Sequence, residues 1–204
     1  MWLIVGNIRE PIKKTSIEKK RKIIEIGFKL MCNKGYHNIN TIDIAKEANV
    51  STGIIYQYFN DKRDIFIEGV KDYADNIMFP MINIMDNYVI DKSNLKELLS
   101  KMIDSFIKTH TMKKEAHEEL MAMSYLDKDI KNIFKTRELT MTDKISNILI
   151  NSGFNSKNME EKVHIIIGII DNYCHEVVYH KHEKLDYNAM KEEILNIIIN
   201  VITK

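Results

Sequence analysis

Isoleucine, leucine, methionine and phenylalanine recur along this chain at intervals of three and four, interleaved with lysine, glutamate and asparagine. No stretch shows sustained alternation of the strand type between turn signals, so the pattern predicts an all-α protein. Only 7 glycines and 2 prolines punctuate 204 residues, which leaves room for long helices. A first helix is expected to begin after Thr15, where Thr15 and Glu18 have capping-box spacing, and to end at Gly35. Its apolar stripe is Ile23, Ile24, Gly27, Phe28, Met31 and Cys32. Further helices are expected over 94–111, 113–125, 127–152, 158–182 and 187–203, divided by short polar joints such as Asp91-Lys92-Ser93 and by Gly153.

Residues 41–66, TIDIAKEANVSTGIIYQYFNDKRDIF, carry a more specific pattern. Ile44, Ala45, Ala48, Val50, Ile55 and Tyr58 fall where two steeply crossing short helices must bury side chains against each other. Ala45 stands at the crossing, where only a small side chain fits. Asn49 holds the turn position that wants a left-handed backbone, which asparagine tolerates better than most residues. Ser51 is expected to cap the second helix by offering its oxygen to the first free amides. Ile39, Ile42 and Phe59 are expected to close the small core, with the first helix as a brace behind the pair. The whole is a helix-turn-helix.

Gly35-Tyr36, Thr41, Ile44-Ala45, Val50-Ser51, Gly53, Tyr56, Phe59, Lys62 and Phe66 together resemble the DNA-binding domain of the tetracycline-repressor (TetR) family. The resemblance covers about the first third of the chain. Asn49 stands where glycine is more usual, and Thr52 and Ile54 occupy positions that vary, so no operator sequence carries over. The resemblance implies phosphate contacts from Thr41, Ser51, Tyr56, Tyr58 and Lys62, residue types that phosphate oxygens bind in any case. Thr52, Gly53 and Gln57 are expected to face the major groove, where Gln57 suits an adenine edge and a threonine methyl suits thymine. No Lys or Arg lies in 51–59, so the arginine-to-guanine contact is unavailable from this helix.

Asp61 is expected to cap a following helix that leads out of the small domain, and Pro80 to bend or break it near Met78 to Met81. The sequence then divides into an amino-terminal arm (1–14), a helix-turn-helix domain (15–62) and a larger helical domain (63–204). Residues 163–179 are apolar nearly all round, and the last helix repeats the pattern with Ile194, Ile197, Ile198, Val201 and Ile202. Two such helices can pair with the same two of a second copy around a two-fold axis, giving the homodimer that palindromic DNA requires and that the resemblance implies.

Net charge is only +1, so its distribution matters more than its sum. Residues 1–70 hold 12 Lys or Arg against 8 Asp or Glu, with the excess at Lys13, Lys14, Lys19, Lys20, Arg21 and Lys22. That basic run suits the rim of a DNA groove. In a regulator of this kind the larger domain would enclose a small, largely apolar effector. Met78, Met81, Met85, Met102, Phe106, Met121, Met123 and Phe134 are candidate soft lining, and His110, His117, Tyr125, Asp171, Asn172 and His175 are candidate polar contacts.

Cys32 and Cys174 lie far apart in apolar helical segments, which reads as buried reduced thiols and a cytoplasmic protein. Cys174, His175, His180 and His182 raise metal or redox sensing as an alternative, although only His175 and His182 would share a helix face. A helical scaffold with an idle helix-turn-helix is a further alternative. No cofactor is implied, and no nucleophile elbow, phosphate loop or zinc-hydrolase motif suggests an enzyme. No run reaches the length of a membrane span.

Overall fold

The computed structural model describes residues 10–86 and 88–203. Among them every regular element is helical: α1 (Lys14–Lys34), a 3-10 turn (Tyr36–Asn38), α2 (Thr41–Ala48), α3 (Thr52–Tyr58), α4 (Lys62–Asp86), α5 (Leu95–Thr109), α6 (Lys114–Leu126), α7 (Lys128–Asn151), α8 (Met159–Tyr179) and α9 (Tyr187–Thr203). The protein is all-α, as the spacing of apolar residues predicts. Residues 1–9 of the expected arm lie outside the described residues, as do the side chains of Met78 and Met81.

Several helix ends differ from expectation for local reasons. Lys13, not Thr15, precedes the first turn of α1, so Thr15 is already helical and its box with Glu18 does not form. Gly35 ends α1 at φ 89°, a backbone that side chains other than glycine adopt only under strain. Asp61 does cap α4, its Oδ1 accepting from the Arg63 and Asp64 amides at 2.7 and 3.2 Å. That helix is not broken at Pro80 but continues to Asp86. Burial of Ile77, Ile82 and Met85 on either side of the proline outweighs the loss of one helix amide. α8 stops at Tyr179 rather than 182.

The chain forms two compact units. One contains the described residues up to Tyr73 together with Met112–Ile133; the other contains Ala74–Thr111 with the chain from Phe134 on. The core of the first is Ile23, Met31, Ile44, Ile55, Phe59, Ile65 and Phe66, each 2% exposed or less. Gly27 lets Ile44 and Ile65 approach α1, and Gly69 admits the Phe28 side chain against α4. α6 lies along α1 in this unit. Cys32 is buried among these side chains, which pushes its thiol up to about 12.

In the second unit α5, α8 and α9 pack together around Leu95, Ile103, Ile166, Ile170, Leu195 and Ile198. Tyr173 donates its hydroxyl to the Tyr187 carbonyl at 2.9 Å, tying α8 to the start of α9. Lys191 meets Asp104 at 2.7 Å, tying α9 to α5. Cys174 is fully buried and its thiol is likewise raised to about 12, first by burial and then by Asp171. Both cysteines are therefore held as thiols, the form that neither attacks disulfides nor binds metal. Among the described residues no helix is long and apolar enough to cross a membrane.

Candidate nucleic-acid interface

The first reading helix, α2, is fixed at both ends by its own sequence. Asn40 Oδ1 accepts from the Ile42 and Asp43 amides at 2.9 and 3.0 Å, and Asp43 Oδ2 accepts in return from the Asn40 amide at 3.0 Å. This capping box was legible in the spacing Asn40-x-x-Asp43, and sequence reasoning passed over it. At the other end Asn49 takes φ 54° and ψ 50°, the left-handed turn expected of it. Ala45 and Ala48 of α2 and Ile55 of α3 are all buried, and the two helices are in contact, as the crossing requires.

Two expectations here fail. Ile42 is 66% exposed and closes no core, because the Asn40 cap makes it the second residue of α2 and turns it to the outer face. Ser51 does precede the first residue of α3, but its side chain makes no capping hydrogen bond. Its exposed hydroxyl therefore remains available to a ligand.

The expected contact residues divide into three groups. Gly53, Tyr56 and Gln57 are exposed on α3, and Thr52 is half-buried at its start. Thr41 and Tyr56, one from each helix, are joined by a hydrogen bond of 2.9 Å between their hydroxyls. Tyr58, in contrast, is 8% exposed and packs within the head beside Phe59, with ring centroids 6.4 Å apart. Lys62 is half-buried and engaged: its Nζ donates to the Tyr36 and Ile39 carbonyls, both at 2.7 Å. Of the basic run on α1, Lys14, Lys19, Arg21 and Lys22 are exposed, whereas Lys20 pairs with Glu10 at 3.1 Å.

Behind this face lies a network that sequence reasoning missed. Arg63 donates to both carboxylate oxygens of Asp127, at 2.7 and 2.9 Å, and to Asp129 at 2.6 Å. The guanidinium holds the Asp127 carboxyl below the usual carboxylate range. Glu119 of α6 accepts from the Tyr36 amide at 2.7 Å. These partners are more than sixty residues apart in sequence, so no local spacing signals them.

Residues 23–68 match the family profile described as "Bacterial regulatory proteins, tetR family". The HTH-type transcriptional regulator HbdR of Aromatoleum sp. is 45% identical over 58 residues, which span 28% of this chain and 25% of HbdR. IcaR of Staphylococcus aureus, the negative transcriptional regulator of the biofilm operon icaADBC, is 28% identical over 137 residues, spanning 60% of this chain and 73% of IcaR. Over residues 23–68 the chain is similar to the DNA-binding domain of TetR-type regulators. Among solved structures, a transcriptional regulator from Saccharomonospora viridis in complex with choline superposes with a TM-score of 0.67 at 18% identity, over 89% of this chain and 96% of that one.

The effector candidates fall in different surroundings. Met102 and Phe106 are buried on α5, and His110 is buried just past its carboxy-terminal end. His110 donates from Nδ1 to the Phe106 carbonyl at 2.7 Å, so Nε2 carries the lone pair. Its ring meets those of Phe106, His175 and Tyr179 with centroids 4.6, 5.1 and 6.0 Å away. Asp171 faces His175 at 3.2 Å. Asp171 is half-buried and Asn172 is exposed. Met121 and Tyr125 lie in the first unit, and Tyr125 is 84% exposed rather than enclosed.

The metal alternative depended on His182 continuing the face of His175. The helix ends before it, with His180 and His182 both exposed and Cys174 buried. Among the described residues no three His, Cys, Asp or Glu side chains group as metal ligands.

Burial lowers the pKa of His110 from its ordinary 6.5, with His175 adding to the effect and the Phe106 carbonyl and Asp171 opposing it. The unfolded chain therefore takes up this proton at a higher pH than the folded one. Between the two values the unfolded state binds more protons, and stability rises with pH. The stabilisation is complete above pH 6.5 and is lost as pH falls through the lower folded value. Thermal melts from pH 7.5 down to 5 should show a falling melting temperature whose slope is reduced in His110→Gln. Equal slopes in the two proteins would show that His110 does not carry the effect.

Proposed function

We propose that this protein is a dimeric transcriptional repressor that binds a palindromic operator and is released by a small, largely apolar effector. The observation that carries the reading is the exposed polar face of α3, with Gln57 and Gly53 open and the Thr41–Tyr56 hydroxyl pair beside them. A helix that only packed would have no reason to present this set next to a basic α1. In this reading residues 15–62 form the DNA-binding part and 63–204 the effector and dimerisation part. Thr41, Ser51 and Tyr56 contact phosphates, while Thr52, Gly53 and Gln57 read base edges. Repression is supported by the likeness to IcaR, a negative regulator.

Dimerisation through α8 and α9 is supported by what those helices leave uncovered. Ile165 is 61% and Ile197 47% exposed, and a side chain added at Gly168 would meet open space. A second copy of the same pair would bury this surface around a two-fold axis. The effector reading draws on the aromatic and histidine surroundings of His110 at the end of α5, to which α8 contributes His175, and on the choline complex of a structural neighbour. Release then follows if the effector binds more tightly to a state in which α4 spaces the two reading heads wrongly for DNA.

Fluorescence anisotropy on duplexes tiling the DNA upstream of the protein's own gene tests the proposal. One duplex should bind saturably, and Gln57→Ala should weaken it about tenfold, within the roughly 1–3 kcal/mol of a bidentate base contact. Uniform weak binding to all duplexes, indifferent to Gln57, would favour a helical scaffold whose reading head is idle.

A further inference from the structure

Lys62 was expected to meet a phosphate, yet its surroundings are those of a structural strut. It is the first residue of α4, and its ammonium donates to the carbonyls of Tyr36 and Ile39, each at 2.7 Å. It also stands 4.5 Å from the centroid of the Tyr36 ring. An ammonium has three N–H groups, so two are spent within the head and one is left for any further acceptor.

The two carbonyls it grips bracket the turn between α1 and α2. Ile39 immediately precedes Asn40, whose side chain caps α2 and whose neighbour is Thr41. Tyr36 is held from its other side by Glu119 through its amide and by Phe66, whose ring centroid is 5.1 Å away. Without the lysine, the turn would keep its apolar anchors, Tyr36 and Ile39, but lose the cation that joins its carbonyls to α4. We infer that Lys62 is a positioning residue that pins the 36–39 turn to the start of α4 and thereby sets where the capped end of α2, with Thr41, is presented to DNA. The inference deepens the DNA-binding reading and rests on it for the consequence at Thr41; the strut itself is a property of the free protein.

Lys62→Met keeps the aliphatic stem and removes all three donors, and Lys22→Met, at an exposed site on α1, serves as the reference. In the free protein, amide hydrogen exchange over residues 36–43 should quicken about tenfold or more in Lys62→Met, the equivalent of one charge-assisted hydrogen bond, and stay unchanged in Lys22→Met. On the operator, Lys62→Met should weaken binding while the slope of log affinity against log salt falls by well under the roughly 0.9 that one lost phosphate contact produces. Unchanged exchange with a full loss of slope would overturn the inference and restore the phosphate contact.

If no duplex binds even the unaltered protein, the DNA-binding reading fails while exchange still decides the strut. If Lys62→Met does not fold, the wild-type ammonium decides. A side-chain nitrogen–proton signal of Lys62 that persists at neutral pH, where that of Lys22 is lost to solvent exchange, supports the strut, and its loss along with Lys22's overturns it.

Discussion

Phe66→Ala should cost the folded protein about 3–5 kcal/mol, a large part of the roughly 5–15 kcal/mol that holds an ordinary domain together. Phe66 is fully buried in the first unit, and its ring packs against Phe28 and Tyr36 with centroids 5.4 and 5.1 Å away. Truncation removes apolar surface and leaves a void that neither neighbour can fill. Tyr36 is tied down by Glu119 and Lys62, and Phe28 is wedged against Gly69. Chemical denaturation of the variant beside Ile42→Ala checks this, since Ile42 is 66% exposed and its loss should be nearly neutral. A cost for Phe66→Ala below about 1 kcal/mol, or two variants of equal stability, would mean that Phe66 does not organise this core.

Gly69→Ala should be the more damaging change for its size. Alanine is the better helix former by about 1 kcal/mol, so propensity alone predicts a gain in the middle of α4. Geometry reverses the sign. The added methyl would clash with Cβ and Cγ of Phe28. Phe28 Cβ is bonded directly to the backbone of α1, so no rotamer change removes the clash and α1 must shift away from α4. Overpacking of this kind costs about 1–3 kcal/mol and sometimes more, which exceeds the propensity gain. Because α1 braces the reading helices, operator affinity should fall along with the melting temperature. A variant that melts at or above the wild-type temperature would refute the close approach.

Much of this architecture can be read without coordinates. Asn49 in the left-handed turn, Gly35 at the end of α1, Asp61 at the start of α4 and the small residues Ala45 and Ala48 at the helix crossing are each where local rules put them. Such features depend on neighbours within one helical turn. The candidate site was legible where it consists of exposed residues on a short helix, as with Gly53, Tyr56 and Gln57. It was less so where a side chain had two plausible uses. Tyr58 and Lys62 resemble phosphate ligands by residue type, but one lies in the core and the other grips backbone carbonyls.

The amino-acid sequence by itself determined the helices, the turn that joins α2 to α3, and the likeness of residues 23–68 to TetR-type regulators, because periodicity, capping and turn chemistry act over a few residues. Only the tertiary structure decided which ions and hydroxyls are already spoken for. Arg63 on Asp127 and Asp129, Glu119 on the Tyr36 amide, and Lys62 on the 36–39 turn all join distant parts of the chain. The tertiary structure also placed residues 112–133 with the reading head and carried α4 through Pro80. Such outcomes depend on which surfaces meet after folding, and a charged or polar side chain satisfies whichever partner the packing brings within reach.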